Sequence, residues 1–307
     1  MGRMAQHDPI MDAAARRRLV KRFGPAVEPW CDDLPATVAA LADRWGLRVR
    51  SGLVGNTSRA LLCDRADGTS AVLKLTPDPA IAAEEHAALS AWSASPQLVS
   101  VLDADLPLGA LLLEAIEPGG PLARRPGGVP LRWMGVLLRE LHAVPVPAEP
   151  EFPPLTAKVD AIFSSINWQR LAGEEVARHL PVDLVERSRN AALDLAEYPA
   201  RALLHGDLHA DNVLDGGPDR GLVAIDPRPC VGDPAFDAVD FAFLRVTRSG
   251  DFDRRVASMV RYTDGLDGDR LVAWCRTIAV FFAIRELRRS GPSERSDTLL
   301  ALAKEAG

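Results

Sequence analysis

Residues 202–226 run Ala-Leu-Leu-His-Gly-Asp-Leu-His-Ala-Asp-Asn-Val-Leu-Asp-Gly-Gly-Pro-Asp-Arg-Gly-Leu-Val-Ala-Ile-Asp, and no other part of the chain restricts the fold as strongly. Short apolar runs at 202–204, 213–214 and 222–225 are parted by Gly, Asp and Asn, which reads as short strands and tight turns. The last two runs form a hairpin around Asp215-Gly216-Gly217, with carboxylates at its mouth. Asp207 and Asn212 stand as D-x-x-x-x-N, and Asp226 closes the next strand. Phosphoryl transfer needs these parts: a carboxylate to receive a hydroxyl proton, and an amide with a second carboxylate to hold Mg²⁺ on nucleotide phosphates.

Two other readings fit the same residues. Asp, Asn and Gly are ordinary turn formers, so the spacing alone is compatible with loops that carry no chemistry. The run His-x-Asp-x-His-x-Asp also looks like metal ligands of a hydrolase. Zinc hydrolases commonly use further histidines, and this chain has six His, none after His209.

A phosphate-transferring site also requires a lysine on a strand and an acid on the following helix. Ser70–Leu75 follows an Asp67-Gly68 turn and reads as the second strand of a hairpin begun near 59–63. Lys74 lies in that strand although the chain otherwise favours arginine and has only Lys21, Lys158 and Lys304 besides. A lysine there suits nucleotide phosphates; a solubility charge at a strand edge is the alternative. Asp78-Pro79 then opens a helix running to about Trp92. Glu85 falls on its apolar stripe with Ile81, Ala88, Leu89 and Trp92, and Glu84 is rotated about 100° away. A buried acid needs a partner, and Lys74 is the obvious one.

With these residues in view, the chain resembles the aminoglycoside phosphotransferase family, and within it the streptomycin 6-kinase and hydroxyurea kinase branch. The likeness is carried by Leu-Leu-His-Gly-Asp-Leu-His-Ala-Asp-Asn-Val-Leu (203–214) and Ala-Ile-Asp-Pro-Arg-Pro-Cys-Val-Gly-Asp-Pro-Ala-Phe-Asp (224–237). Leu-Arg-Glu-Leu-His-Ala-Val-Pro-Val-Pro (138–147) and Leu-Pro-Ala-Thr-Val-Ala-Ala-Leu-Ala-Asp-Arg-Trp-Gly-Leu (34–47) point to the branch.

The resemblance implies an α+β, two-lobed protein-kinase-like fold: an N-lobe with an antiparallel sheet plus helix, and a larger, mainly helical C-lobe. It implies Asp207 as catalytic base, Asn212 and Asp226 as Mg²⁺ ligands, Lys74 on the ATP phosphates and Glu85 as its partner. Adenine would meet the backbone C=O of Glu114 and N–H of Ile116. The phosphate-covering loop would be Gly52–Ser58, with Gly55 and Ser58 binding ATP; lacking a third glycine, it relies on Thr57 and Ser58 as donors. Pro227 stands where protein kinases carry Phe-Gly, which speaks against a flipping activation segment and a protein substrate. A catalytically weak nucleotide-binding protein is the remaining alternative, and every catalytic position is filled.

With 307 residues, 47% of them hydrophobic, the chain can bury two modest cores. The nucleotide-binding lobe, with an N-terminal helical extension, is expected over 1–116 and the catalytic, acceptor-binding lobe over 117–307. The Pro/Gly-rich stretch 117–130 follows the break, and Leu131, Met134, Leu138 and Leu141 resume at helical spacing. Four scattered cysteines suggest neither disulfides nor zinc. The N-terminus lacks a signal-peptide core and the apolar run 278–284 is too short to span a bilayer. A cytoplasmic, monomeric protein is expected, with neither nucleic acid nor membrane as partner.

Net charge is −6, and residues 207–253 alone hold ten Asp and four Arg, also −6. Such a segment can steer a cationic acceptor, with Asp211 and Asp233 as first candidates to contact it, although Asp233-Pro234 reads first as a helix N-cap; a solvated acidic surface is the other reading. The expected reaction is ATP- and Mg²⁺-dependent phosphorylation of a hydroxyl on a streptomycin-type or hydroxyurea-like acceptor, conferring antibiotic resistance, with choline- or sugar-type acceptors as alternatives.

Overall fold

The computed structural model describes residues 10–306, apart from 56, 126–127, 129, 150, 165–172, 174–175, 182 and 200. It divides into two compact units, Met1–Gly119 and Gly120–Gly307.

The first unit begins with α1 (Ala13–Phe23), whose first turn is capped by the Asp12 carboxylate on Ala15 N–H at 2.8 Å. Helix α2 (Glu28–Trp45) follows, then β1 (Leu47–Gly52), β2 (Arg59–Arg65), β3 (Ser70–Leu75), α3 (Pro79–Ala91), β4 (Val101–Asp105) and β5 (Ala110–Glu114). The strands form one antiparallel sheet ordered β1-β2-β3-β5-β4. Leu34, Val38 and Leu41 recur along one stripe of α2 and pack on Leu61, Cys63, Ala71, Leu73, Leu75, Ala110 and Leu112. Those strand residues all alternate, so one sheet face is closed by α2. Lys74 falls on the other face by the same alternation.

The second unit is mainly helical. Helices α4 (Leu131–His142), α5 (Leu155–Ser164) and α6 (Leu184–Ala196) precede β6 (Ala202–Leu204), β7 (Val213–Asp215), α7 (Gly217–Arg220), β8 (Leu222–Ala224) and β9 (Cys230–Gly232). Then come α8 (Val239–Phe243), α9 (Ser249–Tyr262), α10 (Gly268–Ser290) and α11 (Glu294–Lys304). Strands β7 and β8 pair antiparallel as the expected hairpin, but a short helix, not a tight turn, joins them. The lead-in strand β6 pairs with β9. Leu137, Leu138, Leu141, Phe241, Phe243 and Trp274 are buried around these strands. Among the described residues, no helix is long and apolar enough to cross a membrane.

Candidate active site

The two short strand pairs of the helical unit hold the loops 205–212 and 225–228 against each other. Ile225 N–H donates to Asn212 O at 2.9 Å, and Arg228 N–H to His205 O at 2.8 Å. His205, fully buried, places Nε2 2.9 Å from Ile225 O. Burial drives its pKa below the usual histidine value, against the pull of Asp237, so the ring is held neutral. Gly206 has φ +74, and a Cβ there would lie 2.1 Å from Arg228 O, so only glycine allows the two loops to touch.

Asp207 is carried on this support with its side chain about half exposed. Asn212 Nδ2 donates to Asp207 O at 3.0 Å and reaches its Oδ2 at 3.4 Å. The amide N–H groups are thereby turned inward on Asp207, and the amide oxygen is left for another partner. Asp226 stands two residues after the end of β8 with φ +58, a left-handed conformation uncommon outside glycine. An amide oxygen and a carboxylate make a hard oxygen donor set suited to Mg²⁺ completed by phosphate and water. Among the described residues no group of three or more His, Cys, Asp or Glu is arranged to hold a metal.

Asp237, which sequence reasoning assigned no role, anchors the 205–212 loop. Its side chain is fully buried. It accepts His205 N–H at 2.8 Å, Gly206 N–H at 2.9 Å, and meets His142 Nε2 at 3.1 Å. Burial pushes this carboxyl up, but the His142 hydrogen bond and the neighbouring backbone donors outweigh it and hold the pKa low. The available signal was an acid inside Pro-Ala-Phe-Asp-Ala-Val, the same cue that singled out Glu85.

In the sheet unit, Lys74 Nζ donates to Glu85 Oε1 and Oε2 at 2.7 and 2.6 Å, with side chains 7% and 1% exposed. Asp78 caps α3 through Ala80 N–H at 3.0 Å, which sets the helix register that brings Glu85 to the lysine. Glu114 ends β5, its N–H bonded to Ser100 O at 3.0 Å, and Ile116 follows two residues on. Gly55 and Ser58 lie in the connection from β1 to β2, where Ser58 is buried.

The two candidate acceptor residues do not share a surface. Asp211 is exposed and lines a cleft of about 590 Å³ with His209, Asp240, Arg245, Arg285, Glu286, Arg289 and Arg295. Asp233 is 2% exposed and accepts Ala235 N–H at 3.0 Å, Arg270 Nε at 2.6 Å and Trp274 Nε1 at 2.8 Å. It caps the 3₁₀ turn Pro234–Ala238 and ties it to α10. These contacts match the N-cap reading of Asp233-Pro234.

The acidic segment does not converge on one cleft either. Asp215 pairs with Arg125 at 2.9 Å, Asp251 with Arg254 at 2.5 Å, and Asp237 is buried under the loop. Four arginines line the cleft beside Asp211, Asp240 and Glu286, so its lining is not dominated by acid. Burial raises Asp240 to about 6, with His209 and Arg285 drawing it down and Asp207 pushing it up.

The chain is similar to known kinases over most of its length. The family profile described as "Aminoglycoside/hydroxyurea antibiotic resistance kinase" matches residues 44–290. The hydroxyurea phosphotransferase of Kitasatospora aureofaciens is 35% identical over 260 residues, covering 82% of this chain and 72% of that protein. The streptomycin 6-kinase of Streptomyces griseus is 32% identical over 258 residues, covering 80% of each chain. Among solved structures, a thermostable aminoglycoside phosphotransferase APH(4)-Ia (N202A), in a ternary complex with AMP-PNP and hygromycin B, aligns with TM-score 0.60 at 18% identity. That alignment covers 87% of this chain and 97% of the other, and supports the protein-kinase-like fold.

Proposed function

The chain belongs to the aminoglycoside/hydroxyurea antibiotic resistance kinase family, and we propose that it transfers the γ-phosphoryl group of ATP, with Mg²⁺, to a hydroxyl on a hydroxyurea-like or streptomycin-type acceptor. Its relatives are phosphotransferases that act on hydroxyl groups, and so is this chain. The observation that carries the finer reading is the support of Asp207: a half-exposed carboxylate beside Asn212, on a loop clamped by buried Asp237.

In this reading Asp207 orients the acceptor hydroxyl and takes its proton as the oxygen attacks the γ-phosphorus. The Asn212 amide oxygen and the Asp226 carboxylate would hold Mg²⁺. When bound, that ion neutralises charge on the nucleotide phosphates. Lys74, aimed by Glu85, meets the phosphates, while Gly55 and Ser58 belong to the loop covering them. The C=O of Glu114 and N–H of Ile116 receive adenine. The acceptor enters the cleft bordered by His209 and Asp211.

Arginines outnumber acids in that cleft, which favours a neutral, hydroxyurea-like acceptor over a strongly cationic one. Four free, buried cysteines suit a reducing compartment such as the cytoplasm, where ATP is available.

The test is ADP release by the purified chain with ATP and Mg²⁺ against hydroxyurea, streptomycin, other aminoglycosides, choline and sugars, with and without EDTA. Asp207→Asn should lower turnover roughly 10²–10⁴-fold with nucleotide binding nearly unchanged. Full activity in that variant, or turnover indifferent to EDTA, would refute the assignment.

A further inference from the structure

The connection Gly52–Ser58 lacks the third glycine of a usual phosphate-covering loop, and its surroundings explain how it holds its shape without one. Three alternate carbonyls are tied back by side chains from β2, from α1 and from the residue after β3. Leu53 O accepts from Arg59 Nη1 at 2.7 Å, Gly55 O from Arg18 Nε at 2.9 Å, and Thr57 O from Thr76 Oγ1 at 3.1 Å. Val54, between the first two anchors, is 82% exposed.

The glycine at 52 also has a structural reason. A Cβ there would fall 1.7 Å from Arg59 Nη2, so the missing side chain is what makes room for the guanidinium. Arg59 is 2% exposed and also donates to Ile10 O. Asp12, the cap of α1, lies 3.9 Å from Arg59 and is held at a low pKa first by its hydrogen bond to Ala15 and further by Arg59 and Arg18. Asp12 thus lies near both cations that hold the loop. Arg18 sits on α1, which lies wholly before the 44–290 segment matched by the family.

We propose that Arg18 is a positioning residue for nucleotide binding, so that α1 forms part of the nucleotide site by pinning Gly55. The proposal rests on the reading of Gly52–Ser58 as the phosphate-covering loop. Arg18 acts twice: its Nε–H fixes the loop backbone, and its charge adds positive potential beneath a loop that would cover a triphosphate. A hydrogen bond from a charged donor to a carbonyl is among the stronger neutral-acceptor contacts, and its loss frees the loop to sample conformations that bind nucleotide less well.

The measurements are calorimetric titration of Mg·ATP without acceptor, steady-state kinetics in both substrates, and thermal melting, on the full chain. Arg18→Ala should raise the Kd and KM for ATP roughly three- to tenfold, with acceptor KM and melting temperature close to the parent. Arg18→Lys, which keeps a charged donor, should recover most of the loss. Gly52→Ala, which displaces Arg59, should produce the same ATP-selective defect through the neighbouring anchor at Leu53. Unchanged ATP affinity in Arg18→Ala, alongside a clear loss in Lys74→Ala, would overturn the role of Arg18 alone. A parent chain that binds no ATP would overturn the nucleotide reading on which it rests. Equal rises in both KM values with a lowered melting temperature would make Arg18 a stability residue and overturn the proposal as well.

Discussion

Asp237 receives the Gly206 N–H at 2.9 Å, so a carboxylate 31 residues downstream holds the backbone that carries Asp207. Asp237→Asn keeps the shape but replaces an acceptor by a donor facing backbone N–H groups or His142. A stability loss of about 2–4 kcal/mol is expected, because a buried, fully used carboxylate is broken at one end. Turnover should fall more than tenfold, since Asp207 loses its support. Urea unfolding and steady-state kinetics measure both; parent-like values in each would remove Asp237 from its bracing role.

The Lys74–Glu85 pair makes a different prediction. Glu85→Gln retains volume but leaves the ammonium with a neutral partner in a site 1% exposed on the acid side. ATP KM should rise about tenfold, with stability reduced by about 1–3 kcal/mol. Lys74→Ala should be worse for both, because the unpaired carboxylate stays buried. Isothermal titration with Mg·ATP and urea unfolding decide the point.

Asp233 and Asp211 should separate cleanly. Asp233→Asn disrupts the contacts with Arg270 and Trp274, so a loss of about 2–4 kcal/mol is expected with acceptor KM unaltered in the surviving folded fraction. Asp211→Asn should leave stability within about 0.5 kcal/mol of the parent. If Asp211 guides the acceptor, its KM should rise at low salt and converge on the parent as salt increases. No shift at low salt would assign acceptor recognition to other residues of the cleft.

Two groups near Asp207, buried His205 and partly buried Asp240, give opposite pH trends. Asp240, raised to about 6 from an ordinary 3.8, binds its proton more tightly when folded. Its contribution to stability is present below about pH 4 and is lost as pH rises through about 6. His205 is lowered from 6.5, so the folded chain prefers it neutral; stability rises with pH up to about 6.5 and falls as acid charges the ring in the unfolded chain. Asp240→Asn should remove the loss between about pH 4 and 6 and flatten any inflection near 6 in kcat/KM. Denaturant titrations and pH–rate profiles of both proteins test this, and an inflection that survives in Asp240→Asn would belong to another group.

Periodicity and turn chemistry made much of this molecule legible. The strands at 59–65 and 70–75, the cap at Asp78, the buried face bearing Glu85 and the hairpin after Asn212 all follow from short-range rules. The partnership of Lys74 with Glu85 could be inferred because a buried acid demands a cation, and a single lysine was in reach. Asp237 obeyed the same rule but escaped notice: its partners are backbone N–H groups and a histidine on a distant helix, and every residue carries such an N–H. The acidic segment misled for a related reason. Charge along a chain sums by sequence, whereas a field sums by distance, and folding dispersed Asp215, Asp233, Asp237 and Asp251 among separate partners.

The sequence by itself determined the alternation of strands and helices, the proposed phosphoryl-transfer set Asp207, Asn212, Asp226 and Lys74, and the family likeness, because local geometry and side-chain chemistry depend on neighbours a few residues apart. Only the tertiary structure decided which acids brace and which face a cleft, that four arginines line the cleft beside Asp211, and that Arg18 reaches Gly55. Those outcomes depend on contacts between residues far apart in the chain, where burial and the loss of water, not spacing, select the partner.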